Sequence, residues 1–220
     1  VSATANENIC QVSISGAGGA GFAVAGTLNT LVIVNKVTAQ IRSHERDANG
    51  DPTGTATHHI ESGDEVLVNA EDDSVAINIA GSLAAGAGAA GVGATLVVLV
   101  FSKEVTAGIE GFGTLSADGA VTVSASASDV LTLFAITFGA AANVGVAASV
   151  NAAVYINTVQ AYLGGSVTSC TSLSVKSHSE FVFINFAAGA GASGTVGVGA
   201  VFVITFLYNK TYSYIDRKST

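Results

Sequence analysis

Hydrophobic and polar positions alternate along much of this chain with the two-residue period of extended strands. Val196, Val198, Ala200, Phe202, Ile204 and Phe206 share one face, and Gly197, Gly199, Val201, Val203 and Thr205 share the other. Near the start, Ile9, Gln11, Ser13 and Ser15 fall on one side, with Cys10, Val12 and Ile14 opposite. Leu31–Val34 is bulky and mostly β-branched, which also favours extended chain. Strands whose two faces are apolar or small are buried on both sides. The pattern predicts inward Val, Ile and Phe stacked into a core. It predicts outward small residues that let another coil or sheet lie close. Glycine within a strand marks a bend or a close backbone approach.

The same design recurs four times. An anchor reads VSA at Val1–Ala3, VNA at Val68–Ala70, VSA at Val123–Ala125 and VKS at Val175–Ser177. A long uncharged Gly/Ala-rich run follows, closed by a tail: VNKVTAQI ending at Ile41, SKEVTAGI at Ile109, INTVQAYL at Leu163 and YNKTYSYI at Ile215. Anchors lie 67, 55 and 52 residues apart and tails 68, 54 and 52 apart, so two independent markers agree on the period. The units span about 1–41, 66–109, 120–163 and 172–215, a single array that reads as cut from a longer one. The expected fold is all-β, a parallel β-helix (solenoid) of about four repeats of ~52 residues, each two rungs of roughly 26. Asn35, Asn157 and Asn209 recur in the tails. They read as turn residues, with a stacked hydrogen-bonded ladder as the alternative.

Arg42–Glu65 breaks the pattern. It holds the one proline, three of the four histidines and a dense set of charges, and reads as a polar insert loop leaving the scaffold. Elsewhere charge is sparse: 11% of residues are charged and the net charge is −8. The eight basic residues are spread along the chain, with only Arg217 and Lys218 adjacent, which argues against a nucleic-acid surface and against an anionic membrane. Cys10 and Cys170 occupy different places in the repeat, so no disulfide framework is indicated.

Two other architectures fit parts of the pattern. Ser74–Ser102 is long enough to cross a bilayer as a helix, with Gly86, Ala90 and Ala94 at four-residue spacing. An integral membrane protein with four Gly/Ala-rich spans is therefore an alternative. The abundance of glycine and β-branched residues, the two-residue period and the absence of tryptophan weigh against it, and against a transmembrane barrel. A β-helical protein acting on polysaccharide needs acids clustered on one solenoid face, yet nine of sixteen acids lie in Glu45–Asp73.

The succession of an anchor (VTVSA), a run such as GAGASGTVGVGAVFV and a tail such as INTVQAYL or NKTYSYI resembles the repeats of large secreted bacterial exoproteins. These are the leukotoxin-type filamentous adhesins, more distantly akin in style to filamentous haemagglutinin. The resemblance covers nearly the whole chain except Arg42–Glu65, on motifs of low complexity. It implies a right-handed parallel β-helix, export to the bacterial cell surface or medium, and a role as stalk, adhesin or fibre. It carries no catalytic residues over, and the chain is expected not to be an enzyme. The polar insert, the two cysteines and the aromatic pair Phe181 and Phe183 depart from the family pattern. They leave open a chain that polymerises through its end rungs. The expected partners are further copies or flanking repeats of the same chain, and a host surface or glycan.

Candidate chemistry is thin. Asp47, Asn49 and Asp51, with Gly50 between, resemble the start of a calcium loop, because Ca²⁺ takes several oxygen ligands from a tightly curved chain. The later bidentate acid is missing at EF-hand spacing, and the same residues make an ordinary polar turn. His58 and His59, with His44 nearby, are candidate zinc ligands, but adjacent strand residues point opposite ways and chelate poorly. His178 and Glu180 fall on one strand face and read as a surface pair. Gly16, Gly18 and Gly21 match GxGxxG but recur as scaffold, and Gly189–Gly191 lacks a phosphate-loop lysine. The sequon Asn209–Thr211 falls on a tail.

Overall fold

A computed structural model describes residues 1–42 and 59–216. Asp47, Asn49, Asp51, His44 and His58 lie outside the described residues.

The chain coils through two long strands and one short one, then repeats. The first coil is β1 (Ser2–Gly19), β2 (Phe22–Arg42) and β3 (His59–Ser62). The second is β4 (Val66–Gly86), β5 (Ala90–Glu110) and β6 (Thr114–Ala117). The third is β7 (Ala120–Ala141), β8 (Val144–Gly164) and β9 (Ser166–Ser169), and the described residues close with β10 (Ser172–Ser193) and β11 (Val196–Asp216). Every strand pairs in parallel with its counterpart one coil away. The first sheet runs β1-β4-β7-β10, the second β2-β5-β8-β11 and the third β3-β6-β9. This is the all-β parallel solenoid expected, and the Gly/Ala-rich runs are strands. No helix among the described residues is long and apolar enough to cross a membrane.

The recurring sequence markers are the register. Ala3, Ala70, Ala125 and Ser177 align across the first sheet, and Ile41, Ile109, Leu163 and Ile215 across the second. Anchors and tails form the broad base of each coil, where the short third sheet completes a triangle. Val68, Val105, Ile109, Leu115, Val121, Val123 and Leu163 are buried there together. Gly165, with φ +132°, turns β8 into β9; its missing side chain leaves space for the Phe112 ring, 2.7 Å from where a Cβ would sit.

Two expectations are corrected. Each repeat is one rung, not two. The two 21-residue strands β4 and β5 are joined at Ala87–Ala89, inside the uncharged run, by a turn carrying none of the usual polar turn residues. These turns also bond from rung to rung: Ala87 N–H donates to Gly19 O at 2.8 Å and Gly194 N–H to Ala142 O at 3.0 Å.

The second correction concerns inside and outside. In the half of each coil nearest this turn, small residues point inward and bulky ones outward. Gly197, Gly199, Val201 and Val203 line up with the inward Gly145, Ala147, Ser149 and Asn151 of β8, so Phe202, Ile204 and Phe206 face out. On inner strands, Leu83 is 52% exposed, Phe138 49% and Leu96 38%. The reason is the width of the gap. Facing sheets ordinarily stand about 10 Å apart with side chains between them. Here a Cβ on Gly139 would lie 1.9 Å from the Val146 carbonyl oxygen, and one on Gly145 2.2 Å from that of Ala192. Backbone meets backbone, so only glycine, alanine and small hydroxyl residues fit beside the turn, and valine and asparagine enter farther from it, at Val201, Val203 and Asn151. The coil is a wedge, wide at the third sheet and thin at the turn.

Candidate functional site

The described residues with the strongest electrostatics sit inside the wedge, where its lining changes from bulky to small. Lys103 on β5 occupies the register position held by Asn35, Asn157 and Asn209 on the other second-sheet strands. Its side chain is shut off from solvent. Nζ lies 2.6 Å from Asp72 Oδ1 on β4 and 2.6 Å from Asp129 Oδ1 on β7, and donates to the Asp72 carbonyl at 3.2 Å. Tyr155 on β8 donates its hydroxyl to Asp129 Oδ2 at 2.6 Å, and its ring stacks on Phe101 and Phe181. Asp72 further accepts from Ser74 (3.1 Å) and Asn35 (2.8 Å), and Asn35 also donates to Glu7. One network thus links three rungs.

Burial raises the Asp129 pKa above its ordinary value, against the opposing hydrogen bonds from Lys103 and Tyr155. Burial and the Asp129 carboxylate together push the Tyr155 phenol far up. With its charged side chains sealed between sheets, the cluster offers no substrate a path. Its chemistry is to hold three rungs in one register, because slipping any of them strands a buried charge.

The asparagines of the tails are not turn residues. They stand mid-strand and face inward. Asn157 donates to Ser179 at 3.0 Å and to Asn209 Oδ1 at 3.4 Å, and Asn209 donates to Ser179 at 3.1 Å. This is the ladder alternative over rungs three and four, with Lys103 interrupting it below. Asn209, the sequon residue, is exposed on the border strand and engaged in this ladder through its amide. Nearer the turn a hydroxyl ladder runs through Ser82, Thr95, Thr137 and Ser149, with contacts of 3.0, 2.7 and 2.8 Å.

Among the remaining sequence candidates, His178 and Glu180 do form an exposed pair at 3.2 Å on one strand face. His59 starts β3 and bonds Thr114 one rung away. Cys10 and Cys170 are free thiols. Gly16 and Gly18 lie in the last residues of β1, and Gly21 sits in the two-residue turn before β2. Among the described residues no three His, Cys, Asp or Glu side chains converge as metal ligands.

The other feature with functional reach is the pair of array ends. β1 and β2 border one end and β10 and β11 the other, each presenting a long strand edge with no partner strand among the described residues. The aromatic pair flagged by the sequence lies on one of them: Phe181 and Phe183 on β10 point inward and stack on each other, and Phe181 also stacks on Tyr155. Comparison with known proteins adds no relative: no family model, no curated protein and no solved structure matches the chain.

Proposed function

We propose that this chain is a structural and adhesive segment of a secreted or cell-surface bacterial fibre, not an enzyme, and that it continues end to end into further copies or flanking repeats. The observation that supports this reading is the identity of the edges. The bottom edge (β1, β2) and the top edge (β10, β11) are long strands running in the same direction as the pairs that join inner rungs, with all but the 18-residue β1 matching them in length at 21 or 22 residues. An open parallel edge templates pairing with another chain. Top-to-bottom contact is heterologous, and continued along the line in which the rungs already stack it propagates as a filament. The outward side chains then repeat at every rung and present the surface that meets a host cell or glycan.

Negative-stain electron microscopy on protein purified without detergent tests the reading. Filaments are expected at micromolar concentration. Phe183→Lys places a charge in the seam that the next rung must cover, so it is expected to abolish filaments while leaving the β circular-dichroism spectrum intact. Discrete particles from the unaltered chain at every concentration refute end-to-end assembly.

A further inference from the structure

The outward face of the second sheet is apolar over most of its height. Its rows, read across β2, β5, β8 and β11, are Val24/Val92/Val146/Val198, Leu28/Leu96/Val150/Phe202, Thr30/Val98/Ala152/Ile204 and Val32/Val100/Val154/Phe206. No charge interrupts them until the row Lys36/Glu104/Thr158/Lys210. Seven outward positions per strand, over four strands, cover about 900 Å², at about 6.6 Å per pair of residues and 4.8 Å per strand. The largest apolar patch on an ordinary monomer is about 300–600 Å². A stable interface needs about 800 Å² per partner, which four rungs already supply.

We infer that this face is covered by the same face of a second copy, pairing two solenoids side by side. Bulky outward Val, Leu and Phe then interdigitate at the ordinary sheet spacing that the glycine-lined interior lacks. A two-fold axis along the strands brings both apolar halves together and leaves both charged rows at the rim. The outward face of the first sheet is shorter: its row Asn6/Asp73/Ser128/Glu180 is charged, and the six rows between that one and the turn include Asn8 and Cys10. A bilayer is disfavoured as the occupant, because the apolar height, about 12 residues or 40 Å, exceeds the hydrocarbon thickness of about 30 Å. This lateral contact is independent of end-to-end growth.

Sedimentation velocity, combined with filament width by electron microscopy, tests it on protein purified without detergent. The unaltered chain is expected to be paired, as a dimer or as double-width filaments. Val100→Lys with Val154→Lys, in the centre of the face, is expected to halve mass or width with an unchanged circular-dichroism spectrum. Leu83→Lys, on the opposite face, is expected to leave pairing intact. Should the lysine variant not fold, the near-isosteric Val100→Thr with Val154→Thr replaces it, and pairing is expected to require at least tenfold more protein. Paired particles without filaments keep this inference and refute end growth; single-width filaments do the reverse. A monomeric or single-width unaltered chain overturns the inference, as does pairing that survives in the folded variant. Flotation of the unaltered chain as a monomer with phosphatidylcholine vesicles also overturns it.

Discussion

Replacing Lys103 by methionine isolates the energetics of the buried network. Methionine keeps most of the stem volume, so little cavity forms and the change is one of charge. Asp72 and Asp129 each lose a partner at 2.6 Å inside a closed interior. Removing one member of a buried ion pair costs about 3–5 kcal/mol, because the remaining charge is left uncompensated. With a urea slope of about 3 kcal/mol/M, the midpoint falls by about 1–1.7 M at pH 7. The pH dependence carries the sharper signature. In the native chain the Asp129 pKa is already raised by burial. Its contribution to stability is therefore complete below the unfolded value of about 3.9 and lost as pH climbs through the folded value. Lys103→Met removes two influences that hold this pKa down, so the loss continues to higher pH. The stability gap between variant and native chain is largest at pH 7 and shrinks as pH falls toward 5. Urea unfolding followed by circular dichroism at pH 7, 6 and 5 measures both. A gap below 1 kcal/mol at pH 7, or one that does not change with pH, would show that the cluster is solvated and would refute the reasoning.

Gly139→Val forces a branched side chain against the Val146 carbonyl and is expected to destabilise by about 1–3 kcal/mol or more. Gly26→Val, which points outward with nothing within 4 Å, is expected to be neutral or slightly stabilising in the same thermal melt. Tyr155→Phe keeps the stacking on Phe101 and Phe181 but removes the hydrogen bond to Asp129, at a cost of about 1.5–3 kcal/mol by urea titration. Because the folded Tyr155 and Tyr214 pKa values are both raised by burial, spectrophotometric titration should show tyrosine that stays protonated above pH 10 until the chain unfolds, and Tyr155→Phe should lower that late-titrating amplitude by one residue. Lys36→Ala breaks only an exposed contact with Glu104, and its expected effect is within 1 kcal/mol.

The register was legible in the sequence because anchors and tails repeat residue types at the positions that stack, from Ala3 over Ala70 to Ala125. Rung length was hidden because Ala87–Ala89 turns the chain with small apolar residues instead of proline or aspartate. Inside and outside were read in reverse for Phe202 and Gly197. Hydrophobicity alone places phenylalanine in the core, whereas the gap between these sheets admits no side chain of that size. Lys103 escaped notice because Asp72 and Asp129 are 31 and 26 residues away and meet it only through the coil. One signal did exist: the tail SKEVTAGI has lysine where the other three tails have asparagine.

One rung per repeat decides what such a chain can build. Each rung uses roughly 52 residues to advance the array by one strand spacing, about 4.8 Å, while its two 21-residue strands reach about 70 Å sideways. Four rungs make a plate about 19 Å tall, much broader than it is high. As a spacer this is wasteful, since an α-helix of 52 residues would cover about 78 Å. As a display it is effective. Every added repeat lays down another full-width row of outward side chains directly above the last, so a longer chain multiplies copies of one contact at fixed spacing. Under the adhesive role proposed above, grip on a repetitive surface would grow with repeat number through many weak, simultaneous contacts, without any single strong pocket.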